Sequence, residues 1–247
     1  MLQCQSSVIL DNLRQIRYRM RAAAERAGRN YDDIGLVAVT KYENLDDVRT
    51  LLRSGEISDV GETRVQDAKT RKEALGALAS KVRWHLIGHL QTNKAKQALD
   101  VFDVLDTVDS EKVAEALDQK LGEIGRTLDV LVQVKLSNKE TQSGTDPEHL
   151  GQLLKNLERF ARLKPRGLMA IAPNIEPLEA VRPYFKTLKT LFDRYFSGMP
   201  GATLSMGMSR DFEIAIEEGS NLIRIGSLIF SPDSTVNQHQ REDSNDR

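Results

Sequence analysis

The chain has 247 residues, and its 35 basic and 36 acidic side chains almost cancel, with no basic run interleaved with aromatics. That balance argues against a nucleic-acid partner, which needs a basic face to displace counterions. A lone cysteine, Cys4, leaves no internal disulfide, and neither a secretory leader nor an apolar run long enough to span a bilayer is legible, so a soluble, cytoplasmic, monomeric protein with no membrane partner is expected.

From Ser7 to about Ala27, Val8, Leu10, Leu13, Ile16 and Met20 recur at helical spacing, and Gly28 is a natural stop. Strands and helices then alternate. Strands are predicted near 35–40, 58–61, 83–87, 103–108, 129–136, 166–171, 203–206 and 222–226. Amphipathic segments lie between them, near 45–54, 63–79, 92–99, 110–122, 147–162, 178–196 and 210–218. Parallel strands need crossover helices, so this alternation predicts an α/β fold, a single (β/α)8 TIM-like barrel with an extra N-terminal helix. A doubly wound open sheet is the alternative, and "SDVG" at 58–61 is the weakest strand signal. No glycine-rich linker divides residues 1–230. The remaining residues, 231–247, are polar with one aliphatic side chain and are expected to be a disordered tail.

Barrels of this kind place their chemistry at the carboxyl ends of the strands. Lys41 follows the apolar run Leu36–Thr40, and Asn44 opens the next helix as an N-cap. A lysine in an apolar setting loses solvation and can form a Schiff base, although an isolated strand-end lysine is more often a snorkelling surface charge. The last two strand ends add "SMGMS" and "GS", at the place where barrels commonly hold phosphate. There Gly207 and Gly226 allow close backbone approach, Ser205, Ser209 and Ser227 can donate, and Arg224 shares strand parity with Gly226. The bland alternative is a pair of turn glycines with Arg224 paired to an acid. His85 and His89 have no metal-ligand spacing. No G-x-S-x-G, Walker loop or G-x-G-x-x-G is present.

The ordered segments "VAVTK", "VGETRVQ", "WHLIGHLQTNK", "GLMAI", "SMGMS" and "RIGSLIF" resemble the pyridoxal phosphate homeostasis proteins, whose barrel is that of the alanine racemase N-terminal domain. The resemblance runs from the first helix to Phe230. It implies that Lys41 carries pyridoxal 5′-phosphate (PLP) as a Schiff base. It also implies that the segments around Ser205, Gly207, Met208 and Ser209 and around Arg224, Gly226 and Ser227 hold the phosphate. Arg224 reaches either that phosphate or the pyridine nitrogen, and the sequence leaves the two open. Three positions depart from the common pattern: Glu43 stands where many members have lysine, Thr63 where many have asparagine, and Gln142 where some members have lysine. These bear on a relay or second site built from extra lysines; none touches Lys41.

PLP needs a placed acid or base to become catalytic. Of the five tyrosines, only Tyr42 lies in a strand-end motif. The sequence therefore predicts a PLP carrier serving intracellular homeostasis, with PLP-dependent apoenzymes as recipients and no turnover reaction of its own. The enzyme alternative is an amino-acid racemase or another PLP-dependent enzyme. A barrel aldolase using Lys41 alone is disfavoured by the phosphate-like loops.

Overall fold

A computed structural model describes residues 2–137 and 142–231, with side chains from Val8 onward. Of the polar stretch expected to be disordered, only Ser231 falls within the described residues; the rest lies outside them. Eight parallel strands close into a barrel in chain order: β1 (Gly35–Val39), β2 (Asp59–Glu62), β3 (Arg83–Leu86), β4 (Val104–Val108), β5 (Leu128–Gln133), β6 (Leu163–Met169), β7 (Thr203–Ser205) and β8 (Leu222–Ile225). Pairing of β1 with β8, Val37 opposite Arg224 and Ala38 opposite Ile225, makes the final seam. The open-sheet alternative is thereby excluded.

The long first helix, α1 (Leu2–Arg26), buries Ile9, Leu13, Ile16, Met20, Ala23 and Ala24 on one stripe. Each fully buried aliphatic side chain of this kind contributes about 1.5–3 kcal/mol, so the stripe rather than helix propensity holds α1 in place. The crossover helices are α2 (Leu45–Arg53), α3 (Val65–Leu75), α4 (Ala95–Val101), α5 (Glu111–Ile124), α6 (Leu150–Leu157), α7 (Arg182–Phe196) and α8 (Phe212–Glu217); a single turn, α9 (Ser227–Phe230), follows β8. α1 packs on α2, α8 and α9, and the Asn12 amide donates to the carbonyls of Ile229 (3.0 Å) and Ser231 (2.9 Å).

Local chemistry fixes the ends of these helices. Asn44 caps α2 by accepting from the Asp47 N–H at 2.8 Å. Gly125 ends α5 in the left-handed region at φ 65°. α6 is shorter than its periodic pattern predicts, and α4 starts only after a 3-10 turn over Thr92–Lys94.

Most of the apolar core lies between the strands and the helices, with Trp84, Phe102, Phe185 and Phe212 among its largest members. The barrel interior is different. Strand parity turns Val37, Val39, Asp59, Gly61, His85, Asp106, Leu131, Gln133, Ser205, Leu222 and Arg224 inward. Much of that lining is polar, which explains the weakness of the 58–61 signal: the inward residues of β2 are Asp59 and Gly61, not aliphatics.

Candidate functional site

The turn after β1 is clamped on both flanks. The Thr40 N–H donates to the Gly61 carbonyl at 3.1 Å, and the Glu43 N–H donates back to the Thr40 carbonyl at 3.1 Å. The buried Thr40 hydroxyl donates to Glu62 Oε1 at 2.6 Å. Glu62 in turn pairs with Arg71 at 2.8 Å, and Arg71 also donates to the Glu43 carbonyl at 3.0 Å. Burial pushes the Glu62 carboxyl up from its ordinary range, against the pull of Thr40 and Arg71. Inside this clamp Tyr42 takes the left-handed backbone, φ 67°, at the third position of the turn, a conformation that costs a non-glycine residue about 1–2 kcal/mol. The result is that Lys41 stands free of any carboxylate among the described residues, its Nζ 5.9 Å from the Tyr42 ring centroid.

Across the barrel mouth, β7 ends at Ser205 and the chain turns at Gly207, φ 93°. A Cβ there would sit 2.5 Å from that of Ala215, so no side chain fits against α8. The Gly207 carbonyl accepts the Arg224 N–H at 3.0 Å, which ties this turn to β8. Asp211 accepts the Met208 N–H at 2.7 Å, and burial raises its carboxyl while Arg224 and Arg210 oppose that rise. After β8, Gly226 passes close to β1: a Cβ would lie 3.1 Å from the Val39 carbonyl oxygen.

Arg224 is 3 % exposed and points into the barrel. It donates through one nitrogen to Ser205 Oγ at 2.7 Å and through the other to the Ala170 carbonyl at 2.8 Å. A cavity of about 470 Å³ joins these parts, lined by Lys41, Tyr42, Glu43, Thr63, Met208, Ser209, Arg224, Gly226 and Ser227. Six of the eight predicted site residues thus share one wall. Ser205 and Gly207 stand behind it, the first holding Arg224 and the second shaping the turn. The hydroxyls of Ser209 and Ser227 carry no intramolecular hydrogen bond among the described residues. Size and lining both suit a small ligand with an anionic end.

One cluster escaped the sequence reading. His85, also 3 % exposed, donates from Nδ1 to Asp106 Oδ1 and from Nε2 to Asp59 Oδ1, each at 3.0 Å. Burial by itself would lower the imidazole, but the two carboxylates outweigh it and push it up to about 9. For Asp59, burial is outweighed by hydrogen bonds from His85, Ser58 and Arg83, which bring it down to about 2. Asp106 Oδ2 is buried and has no hydrogen-bond partner among the described residues; besides His85, Arg224 also feels the charge of this carboxylate. A line of alternating charge therefore runs up the interior from Asp59 to Arg224. His85 and Asp59 also border a cavity of about 510 Å³ at the amino-terminal mouth, away from Lys41.

The three departures have structural answers. Gln142 Oε1 accepts from the Ser137 N–H (3.1 Å) and hydroxyl (2.5 Å), and its amide donates to the Ile171 carbonyl at 2.7 Å. It fastens the loop after β5 to the one after β6, as a lysine could not, having no acceptor. Thr63 and Glu43 line the cavity beside Lys41, and burial raises Glu43, with Asp47 adding to the shift.

Residues 12–233 match the family model of the alanine racemase N-terminal domain. A pyridoxal phosphate homeostasis protein of Aquifex aeolicus is 36% identical over 224 residues, covering 89% of this chain and 96% of that one. A crystal structure of an unknown protein from Bifidobacterium adolescentis superposes with a TM-score of 0.85 at 31% identity, over 92% of this chain and 96% of the other. The PipY protein of Synechococcus elongatus PCC7942, solved with PLP bound, gives 0.74 at 33% identity over 86% and 99%. The chain belongs to the pyridoxal phosphate homeostasis protein family, built on the barrel of the alanine racemase N-terminal domain.

Proposed function

We propose that this protein binds PLP as a Schiff base on Lys41 and serves PLP homeostasis as a carrier rather than through a turnover reaction. The observation that carries the reading is the convergence of an unpaired lysine, two unengaged serine hydroxyls and a buried arginine on one cavity at the strand ends. The donor set fits the cofactor. An amine is present for the aldehyde, and hydroxyls at Ser209 and Ser227 with the glycine backbone beside them suit a phosphate. When bound, PLP supplies an electron sink.

Arg224, rather than a carboxylate, is assigned to the pyridine nitrogen. Its guanidinium is fixed by Ser205 and Ala170, and Glu43 is the only acid in the lining among the described residues. A fixed cation at that atom disfavours nitrogen protonation and so weakens the sink, which suits holding the cofactor more than transforming a substrate. Ser205 acts through Arg224 in this reading, and Gly207 and Met208 set the turn that presents Ser209. Support for the homeostasis role comes from the names of relatives sharing about a third of their residues with this chain.

Borohydride reduction followed by peptide mass mapping tests the assignment. A pyridoxyl group on Lys41, absent from Lys41→Ala, is the expected result. A group found solely on Lys94 or Lys135 overturns it. Amino-acid racemisation or transamination at enzymic rates by the purified chain overturns the carrier reading.

A further inference from the structure

Lys41, Tyr42 and Thr63 also form one wall of a second cavity, of about 570 Å³, on the side away from the serine loops. Its other walls are Arg64, Val65 and Gln66 from the entry to α3, and Gly88, His89, Leu90, Gln91, Lys94 and Gln97 from the segment after β3.

Three properties of this second space stand together. Among the described residues its lining contains no Asp or Glu, and the nearest acid contact is Asp109, 3.6 Å from the lining His89. Lys41, Arg64 and Lys94 converge on it, and none of the three has a carboxylate partner among the described residues. The remaining polar groups at its edge include three glutamine amides that make no hydrogen bond among the described residues. The floor is also built closely. A Cβ on Gly88 would sit 2.2 Å from the Thr63 carbonyl oxygen, and the Gly88 carbonyl is held by the Thr107 hydroxyl at 2.7 Å. Like-charged groups left unpaired around a concave space repel each other, and an anion entering it relieves that repulsion.

We propose that this second cavity is an anion subsite, which takes the phosphate or carboxylate of a small molecule approaching Lys41 from the side opposite the PLP phosphate. The proposal rests on the reading of Lys41 given above. Arg64 supplies a planar fork suited to either oxyanion, and Lys94 a mobile point charge. With a volume close to that of the first cavity, the space holds a whole amino acid or phosphate ester rather than a bare ion. A carrier with two anion sites flanking one lysine can accept a second small molecule while the first is still in place.

Acetylation footprinting of Lys94, read by mass spectrometry on the full chain loaded with PLP, tests this. The added probes are pyridoxine 5′-phosphate, which lacks the aldehyde, and glutamate. The expected result is that at least one probe protects Lys94 with the first cavity already filled, and that Arg64→Gln raises the protecting concentration about tenfold. Arg64→Lys should recover part of the effect. Protection by the ester alone assigns a phosphoryl ligand, and protection by glutamate alone a carboxylate; either supports the subsite. Unchanged Lys94 reactivity at saturating probe, or protection indifferent to Arg64→Gln, overturns it. The two readings fail separately: a chain with no pyridoxyl group on Lys41 defeats the first, whereas footprinting of the cofactor-free chain still decides the second.

Discussion

Replacing His85 by glutamine removes the cation between Asp59 and Asp106 without greatly changing the space filled. In the folded chain the imidazole is held at about 9 against an ordinary 6.5, which corresponds to roughly 3 kcal/mol of stability. Because the folded value lies above the unfolded one, that contribution is fully present below pH 6.5 and is lost as pH rises through about 9. At pH 6 the substitution should cost about 3–5 kcal/mol, the range for stranding a buried charge. Asp59 keeps Arg83 at 2.8 Å, whereas Asp106 has no second ion pair among the described residues, only the more distant charge of Arg224. At pH 10 the wild-type imidazole is neutral, and the gap between the two proteins should shrink by roughly 3 kcal/mol. Urea unfolding followed through the buried Trp84, the one tryptophan of the chain, measures this at pH 6, 8 and 10. A gap that stays constant from pH 6 to pH 10 refutes the charged imidazole and the charge line built on it.

Arg224→Gln should weaken PLP retention roughly ten- to hundredfold, the worth of one charge-assisted hydrogen bond, measured as cofactor remaining after dialysis; Arg224→Lys should retain an intermediate amount. Tyr42→Asn relieves the left-handed backbone and should raise the unfolding free energy by about 1 kcal/mol, so a loss of stability would show that the tyrosine ring contributes more than its backbone costs. Gln142→Ala frees Ser137 and the Ile171 carbonyl together and should speed limited proteolysis in the loop after β5, with little change in the global unfolding midpoint. Acidification acts on Asp59, whose folded value of about 2 lies below its ordinary one: its contribution is present above pH 4 and fades toward pH 2, and Asp59→Asn should flatten that part of the curve.

The barrel was legible because short strand-like runs, most of them apolar and the one at 58–61 weak, alternate with amphipathic helices, and that rhythm has few compact solutions. That Lys41 and the serine–glycine loops meet on one cavity was legible for a related reason: they lie at strand ends, which such a fold brings to one rim. Helix ends at α4 and α6 were not, since tertiary packing rather than periodicity stops them. Ser205 read as a phosphate donor from its loop, yet as the last residue of β7 it faces the barrel interior and meets Arg224. The Asp59–His85–Asp106 cluster was missed because each member was weighed in its own segment. Strand parity held the missing signal: all three lie at inward positions of consecutive strands, and inward polar residues on neighbouring strands are forced to meet.

The seam between β1 and β8 has a consequence for how the molecule comes into being. Lys41 leaves the first strand, while Ser227 and Gly226 follow the eighth, and the bolt from Asn12 to Ile229 spans 217 positions. Such distant pairings are slow to form, because loop-closure entropy is lost before the contacts are gained. No chain with an open ring has both halves of the cavity around Lys41. On the proposed reading of Lys41, the colour of bound cofactor should therefore double as a clock for ring closure, developing during refolding once first and last strands have met.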